Sequence, residues 1–581
     1  MYLANQMKMN HRTYTLFFTI TILWKIGCIV ADSQEPANSP IVPLFKETAI
    51  FHGIDFVETS GSREKRYLFE SKGAGVAVAD VNGDGWDDIY FLNGGPDPAR
   101  PNDPVPINCL YRNNGNGTFH DDTHRSGLGV PGYSTAAAFA DYDNDGDVDC
   151  YVCNHGPNQL FQNDGTGAFT DVTSQSGTGD PRMSTASAFG DVDGDGDLDL
   201  FVCNYAHITA AIADRKGTWF NFSGHNAFLG PLSYDAEADV LYINNGNGTF
   251  SDETTSRGIT PIAEGCGLGA LFTDLDDDGD LDLFVGNDAA ADCLYINDGT
   301  GYFEESALLA GLGLTDSGIA LASMGIAAAD FDCDNDIDLF VAGFEGEYNS
   351  LFQNNGEMNF ADVTTLSHCG ENSLLLVTFG AVAADFNNDF WPDIFTANGH
   401  VYPIVDLVPQ CQGYALPSQL LLNHGKALFT DVSDKAGPDF TQKAVSRGAA
   451  VLDFDRDGDV DIIVNNLDGP AQLFENQSTP GNRLQIALQT ETGAPAFGAR
   501  VELTAEGRTQ RQELHSSASF LSQNSAVLHF GLGNASHPQI TVHWPDGKIE
   551  VFNPAPANCR MILRRQKSGS SIVAQEAFGG S

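Results

Sequence analysis

An all-β fold is predicted: a seven-bladed β-propeller with calcium-binding loops, followed by a small C-terminal β-sandwich-like domain. Three observations carry this. An aspartate-rich loop recurs seven times, each copy set between short runs of β-forming residues such as IYF and LFV. Asn-Gly turns punctuate the same stretches, and no segment nearby sustains helical periodicity. Finally, 62 glycines, 38 phenylalanines and 42% hydrophobic residues in a 581-residue chain describe apolar surface buried between many turns, which neither a disordered acidic tail nor a helical bundle would show.

Taken from the N-terminus, residues 1–31 read as a secretory signal: Lys8, His11 and Arg12 precede the apolar run TYTLFFTITILW, and small residues stand near Ala31. Lys25 interrupts that run and no other stretch is long and apolar enough to span a bilayer, so no membrane span is expected after cleavage. The expected location is secreted or extracellular, meaning periplasm or cell surface in a bacterium. Without Cys28 ten cysteines remain, an even number compatible with disulfides in an oxidising compartment. Cys150 and Cys153 lie three apart in a strand, face opposite sides and are expected to be structural.

The repeat unit is a small-residue strand, an aspartate loop, an apolar strand and a hairpin, as in STAAAFADYDNDGDVDCYVCN followed by LFQNDGTGAFTDVT. The loops begin at Asp80, Asp141, Asp191, Asp274, Asp330, Asp385 and Asp453. About four strands per repeat of some 60 residues match a propeller blade. A phenylalanine-headed strand closes each hairpin except the last, which stops at Leu473–Asn476, and a matching strand, FKETAIFHG from Phe45, occurs at the other end of the ring. The N-terminal strand is therefore expected to complete the last blade, giving a ring over residues 45–476 without the exposed edges of an open array.

Each loop places oxygen donors at its first, third, fifth and ninth positions. The candidate ligands are Asp80, Asn82, Asp84 and Asp88; Asp141, Asp143, Asp145 and Asp149; Asp191, Asp193, Asp195 and Asp199; Asp274, Asp276, Asp278 and Asp282; Asp330, Asp332, Asp334 and Asp338; Asp385, Asn387, Asp389 and Asp393; and Asp453, Asp455, Asp457 and Asp461. Clustered carboxylates repel one another unless a hard cation sits among them, and an all-oxygen shell favours Ca2+, here up to seven ions. An EF-hand is excluded because its twelfth-position glutamate is missing; Val202 stands there in the third loop. Asn335 and Phe390 replace the sixth-position glycine in the fifth and sixth loops, and Phe390 suits the required left-handed backbone poorly, so the sixth site is expected to be the weakest.

With their GVAVAD and AAAFAD lead-in strands, these loops resemble FG-GAP and VCBS repeats. FGARVELTAEG at 497–507, SASFLSQNSAVLHFGLG at 517–533 and VHWPDG at 542–547 resemble an ASPIC/UnbV domain, and the combination is similar to the cartilage acidic protein family. The resemblance implies a calcium-loaded extracellular propeller used for binding, with no established catalytic activity. Residues 482–566 alternate like strands and form the expected sandwich, in which the Ser-Phe-Leu-Ser-Gln-Asn run is read as a packed turn. Residues 482–567 carry nine basic against six acidic side chains and are expected to dock against the acidic ring, while 568–581 are expected to be a flexible tail.

The chain carries 78 acidic and 29 basic residues, a net charge of −49, which excludes a nucleic-acid partner. No GxSxG elbow, HExxH pair or P-loop is present, so no enzyme is expected. The expected partner is an extracellular protein or glycan. The alternatives are a calcium-dependent polysaccharide lyase or hydrolase, and a scaffold in an envelope or biosynthetic complex. Two long loops stand out: an insertion from Tyr205 to about Val240, expected to cover one ring face by packing over the channel mouth, with a ligand-contact or lid role as the alternative, and one opening at Asn398–Pro403, whose His400 is expected to be structural rather than ligand-contacting. N-x-S/T acceptors stand at Asn116, Asn221, Asn247, Asn476 and Asn534.

Overall fold

The computed structural model describes residues 41–578 apart from 101, 217–218, 261–264, 479 and 568, so the expected signal segment lies outside the described residues. Residues from Val42 onward form one compact body. Seven four-stranded antiparallel sheets follow one another along the chain. Blade 2 is representative: Ser134–Ala140 lines the channel, then come Asp149–Asn154, Gln159–Asn163 and, at the rim, Phe169–Asp171. The channel strands are alanine- and serine-rich because seven of them crowd around one axis. The second strands are fully buried apolar runs, since each blade packs against a neighbour on both faces. Cys150 and Cys153 illustrate this, as they enter separate apolar clusters on opposite faces of blade 2.

The seventh blade is completed by the N-terminal strand Phe45–Glu47, which pairs with Gln472–Asn476. Its register is that of every other blade. Phe45 lies opposite Asn476 just as Phe119 lies opposite Asn113 and Phe169 opposite Asn163. Ring closure is also written in a cyclic set of hydrogen bonds. The third-strand asparagine of each blade reaches back to a loop carbonyl of the preceding blade: Asn163 to Val81 at 2.9 Å, Asn244 to Tyr142 at 2.8 Å, Asn297 to Val192 at 2.8 Å and Asn354 to Leu275 at 2.9 Å. Asn423 to Phe331 at 2.8 Å and Asn476 to Phe386 at 2.9 Å continue the series, and Asn113 to Phe454 at 3.0 Å joins the first blade to the seventh. Asn476 is thus buried and committed, which removes it from the glycosylation acceptors, whereas Asn116, Asn221, Asn247 and Asn534 are exposed.

The C-terminal region holds two four-stranded sheets. One is built from Val527–Gly533, Asn482–Gln489, Cys559–Arg564 and Ser571–Ala577, the other from Arg508–Glu513, Arg500–Ala505, Gln539–His543 and Ile549–Phe552. Leu484, Ile486, Val501, Leu503, Phe530, Val542 and Met561 are buried in their shared core. The expected flexible tail is corrected here: residues 571–577 form an edge strand paired with Cys559–Arg564. Its side chains are mostly solvent-facing, so no apolar alternation announces it.

The serine-rich run is a second correction. Rather than turning within the sandwich, residues 516–525 enter the ring and touch the channel strand of all seven blades. Ser516 Oγ accepts the Phe189 N–H at 2.8 Å, Ser517 donates to the Ala270 carbonyl at 2.7 Å, and Ser519 Oγ accepts from Ala381 at 3.0 Å while its backbone N–H donates to Ile326 at 2.9 Å. The Gln523 amide accepts the Phe139 N–H at 2.8 Å and donates to the Phe139 carbonyl at 2.9 Å. The Gln523 backbone pairs with Val76 and Val78, and Asn524 Oδ1 accepts from Val451 at 3.0 Å. Channel strands present unpaired backbone groups to the axis, and polar side chains of the right length supply their partners. The ten described cysteines are all unpaired and mostly buried, so the disulfides their even number allowed are not formed.

Candidate metal centres

The seven aspartate loops share one internal wiring. The first-position carboxylate accepts the backbone N–H of the sixth residue in every copy and that of the fifth in all but the fourth and seventh, as when Asp145 and Gly146 both donate to Asp141 at 3.0 Å. The sixth residue sits in the left-handed region in every copy, Gly146 at φ 103° and Gly196 at 93°, but also Asn335 at 86° and Phe390 at 93°. Phe390 bears that strain because its ring is buried and lies 4.6 Å under the Arg508 guanidinium, while its N–H donates to Asp385 at 2.7 Å.

The ninth-position aspartate has a second task that sequence reasoning missed. In each loop one of its oxygens accepts the N–H of the second loop residue and the other accepts the N–H of the staple asparagine; for Asp149 these are Tyr142 at 3.3 Å and Asn163 at 2.8 Å. The same pairing recurs from Asp88 through Asp461. The recurrent asparagine before each Asn-Gly or Asp-Gly turn was the available signal, masked by its fit to hairpin composition.

The loops bring together Asp141, Asp143 and Asp149; Asp191, Asp193 and Asp199; Asp330, Asp332 and Asp338; and Asp453, Asp455 and Asp461, each trio with carboxylate oxygens within 4.8 Å of one another. In the fourth loop the trio is Asp274, Asp276 and Asp278, without Asp282. The fifth-position aspartates Asp145, Asp195, Asp334 and Asp457 instead accept the N–H of the seventh residue and shape the turn. In the first and sixth loops Asn82 and Asn387 donate their amides to Asp84 and Asp389 at 2.9 and 3.0 Å, and among the described residues no carboxylate trio forms there.

These trios are electrostatically unfinished. Burial pushes Asp149 up to about 9 and Asp199, Asp330 and Asp453 up to about 8, with neighbouring carboxylates adding to the rise. Asp143 Oδ1, Asp193 Oδ1, Asp274 Oδ1 and Asp453 Oδ1 are buried without a hydrogen-bond partner. Orphaned buried oxygens in an all-oxygen donor set fit a hard divalent cation, which would be held by the first, third and ninth positions. Arginines also reach the loops: Arg257 donates to Asp193 of the third at 3.0 Å, and in the fourth Arg500 donates to Asp274 at 3.0 Å and pairs with Asp277, while Arg511 donates to Asp277 at 3.2 Å. Arg500 and Arg511 come from the C-terminal sheets, so the basic excess of that region does meet the acidic ring.

The profile described as an FG-GAP-like repeat matches residues 80–152, 141–202, 274–341 and 330–396, and that described as ASPIC and UnbV matches residues 489–570. The chain is an FG-GAP repeat protein with a C-terminal ASPIC and UnbV domain. It is 26% identical over 370 residues to cartilage acidic protein 1 of Xenopus tropicalis, covering 61% of this chain and 54% of that protein. The Homo sapiens protein of the same name is 26% identical over 375 residues, 62% of this chain and 53% of its own length. This FG-GAP chain therefore spans about half the length of the curated relatives it matches. Among solved structures, a Bacillus licheniformis rhamnogalacturonan lyase aligns with a TM-score of 0.36 at 12% identity over 77% of this chain and 78% of the lyase. PorZ, a surface component of the type-IX secretion system of Porphyromonas gingivalis, aligns with a TM-score of 0.37 at 14% identity over 82% of this chain and 58% of PorZ. Likenesses of that degree carry no argument about function.

On the other side of the FG-GAP ring the two long loops meet. The insertion folds into a helix, Ala210–Lys216, and a hairpin of Trp219–Phe222 and His225–Phe228. Phe220, Phe222 and Phe228 surround Tyr402 of the second loop, with ring centroids 5.8, 6.1 and 4.6 Å away. Tyr205 is buried, donates to Asp288 at 2.5 Å and carries the Lys72 ammonium 3.5 Å from its ring centre. His400 is buried, accepts the Tyr402 N–H at 3.0 Å through Nδ1 and faces Glu345 at 3.3 Å through Nε2. These contacts fix loop geometry, which is the structural role expected of His400.

Proposed function

We propose that this is an exported, non-enzymatic calcium-binding propeller that binds an extracellular protein or glycan through the face carrying the two long loops. The observation that carries the reading is the division of labour between the ends of the ring. One end is committed internally, its aspartate loops covered in part by Arg500, Arg511 and Gln485 and its channel filled by residues 516–525. The other end presents elaborated, rim-projecting loops held in place by an aromatic cluster, the usual arrangement for recognition by a rigid scaffold. Calcium at the loops of blades 2, 3, 5 and 7 would neutralise buried carboxylates and hold the blade edges in register, giving rigidity rather than chemistry.

A lyase acting on acidic polysaccharide needs exposed basic groups to meet substrate carboxylates. On the long-loop face Lys72 and Arg447 are buried and already engaged, Lys72 by Asp288 and Arg447 by the carbonyls of Ser71, Gly399 and His400, so neither is available as a catalytic base, while the exposed basic groups Arg215 and Lys216 end the insertion helix, where they can meet an acidic ligand. Surface plasmon resonance of the calcium-loaded protein against immobilised matrix proteins and glycosaminoglycans tests the reading. Saturable binding lost when residues 207–238 are replaced by a short linker supports it; binding unaffected by that replacement places the contact elsewhere, and polysaccharide cleavage by the wild-type protein contradicts it.

A further inference from the structure

The seventh aspartate loop lies beneath the C-terminal domain. Gln485, in the strand Asn482–Gln489, is buried and directs its amide at the first-position carboxylate, with Nε2 donating to Asp453 Oδ2 at 2.8 Å. That same oxygen also accepts the Gly458 N–H at 3.0 Å. Two oxygens are left over: Asp453 Oδ1 and Gln485 Oε1 are both buried and without a partner. Both side chains line one cavity of about 120 Å3 between the ring and the C-terminal sheets, large enough for an ion and a few waters on the usual scale of about 30 Å3 per water. Asp455 and Asp461 bring their carboxylates within 4.8 Å of that of Asp453.

Arg560, the cross-strand neighbour of Gln485, lines the same cavity and eases the charge of Asp453, yet Asp453 Oδ1 and Gln485 Oε1 still make no hydrogen bond, and buried oxygens left in that state are costly. Gln485 turns its Nε2 to Asp453, and a half-turn of the last torsion exchanges the two ends and brings Oε1 to this corner of the loop. Uncharged amide oxygens are ordinary calcium ligands. We propose that the seventh loop forms an interdomain calcium site in which Gln485, from the C-terminal domain, supplies a ligand alongside Asp453, Asp455 and Asp461. This rests on the calcium reading given above and extends it, because ion binding at this loop and seating of the C-terminal domain, with its channel-filling segment, become one linked equilibrium. The same domain also reaches the fourth loop, where Arg500 and Arg511 pair with Asp274 and Asp277, and in the seventh it brings Arg483 to Asp459.

The test is calorimetric titration of CaCl2 into the chelator-stripped full chain, for the wild type and for Gln485→Leu and Gln485→Glu, with hydrogen exchange of residues 482–489 and 515–525 in calcium and in chelator. Gln485→Leu is expected to weaken one class of ion by about tenfold or more, as loss of a ligand or its support does, and to abolish the calcium-dependent protection of both segments. Gln485→Glu, which keeps an oxygen at the site, is expected to retain the ion and the protection while being less stable than wild type in chelator, where its charge faces Asp453. Should the wild type bind calcium while Gln485→Leu gives the same titration and the same protection, the interdomain site is overturned and the ring reading stands. Should the wild type bind no calcium, both fall. A purely structural Gln485 would lower stability equally in calcium and in chelator, which likewise overturns the proposal.

Discussion

Truncating Gln523 asks whether the channel-filling segment stabilises the ring. In Gln523→Ala the backbone pairing with Val76 and Val78 can persist, but the Phe139 N–H and C=O each lose their partner, at 2.8 and 2.9 Å in the wild type. Gln523 and Phe139 are both buried, so neither group gains water directly. Leaving a buried polar group unsatisfied costs about 1–3 kcal/mol. Two such groups, with some relief from water entering the space left by the amide, give an expected loss of about 2–5 kcal/mol. Asn524→Ala strips only the Val451 N–H of its acceptor and should cost about half as much. Gln566→Ala on the exposed surface should stay within about 0.5 kcal/mol of wild type. Equilibrium urea unfolding in saturating calcium ranks the three. A Gln523→Ala protein as stable as the Gln566→Ala control would refute the inference that this segment completes the hydrogen bonding of the channel strands.

Other expectations follow from the same geometry. Chelation should lower the melting temperature by many degrees, since each site at tenfold saturation adds about 1.4 kcal/mol, and scanning calorimetry with and without chelator reads the shift directly. Asn244→Ala, which removes one inter-blade staple and strips Gly246 of its Asn244 Oδ1 acceptor at 3.0 Å, should cost about 1–3 kcal/mol by urea unfolding, with no rescue by added calcium. Burial raises the Asp292 carboxyl to about 8 in the fold. The folded state therefore holds a proton that the unfolded chain releases near pH 4, so this group's contribution to stability declines as pH rises from about 4 to 8. Asp292→Asn should flatten the stability profile across that window, measured as the urea midpoint against pH. Deleting residues 41–47 removes the outer strand of blade 7 and bares the Gln472–Asn476 edge, so size-exclusion chromatography should show self-association absent from the intact chain.

Much of the ring was legible because its signals are local and repeated. Aspartates at fixed loop positions, a glycine or a substitute at the sixth and an unpartnered last hairpin suffice to count blades and to place Phe45–Glu47 in the seventh. The asparagine staples escaped notice because Asn163 and its equivalents also suit a turn, and their partners lie in another blade, as Val81 does. Residues 516–525 were misread for the same reason, since their partners stand hundreds of positions away along the chain, at Phe139, Phe189 and Ala270. The tail strand was hidden because an exposed edge strand such as Ser571–Ala577 needs no apolar face. At the candidate centres the first, third and ninth positions converge in the loops of blades 2, 3, 5 and 7, whereas the fourth loop depends on arginines that no reading of the loop alone could supply.

The most direct test is metal analysis of the protein purified in calcium and exchanged into metal-free buffer, by inductively coupled plasma mass spectrometry against protein concentration. Carboxylate trios in the loops of blades 2, 3, 5 and 7 should retain about four calcium ions per chain, lost on chelation together with thermal stability. Protein that carries no calcium and melts at the same temperature in calcium and in chelator would contradict the ion-stabilised ring.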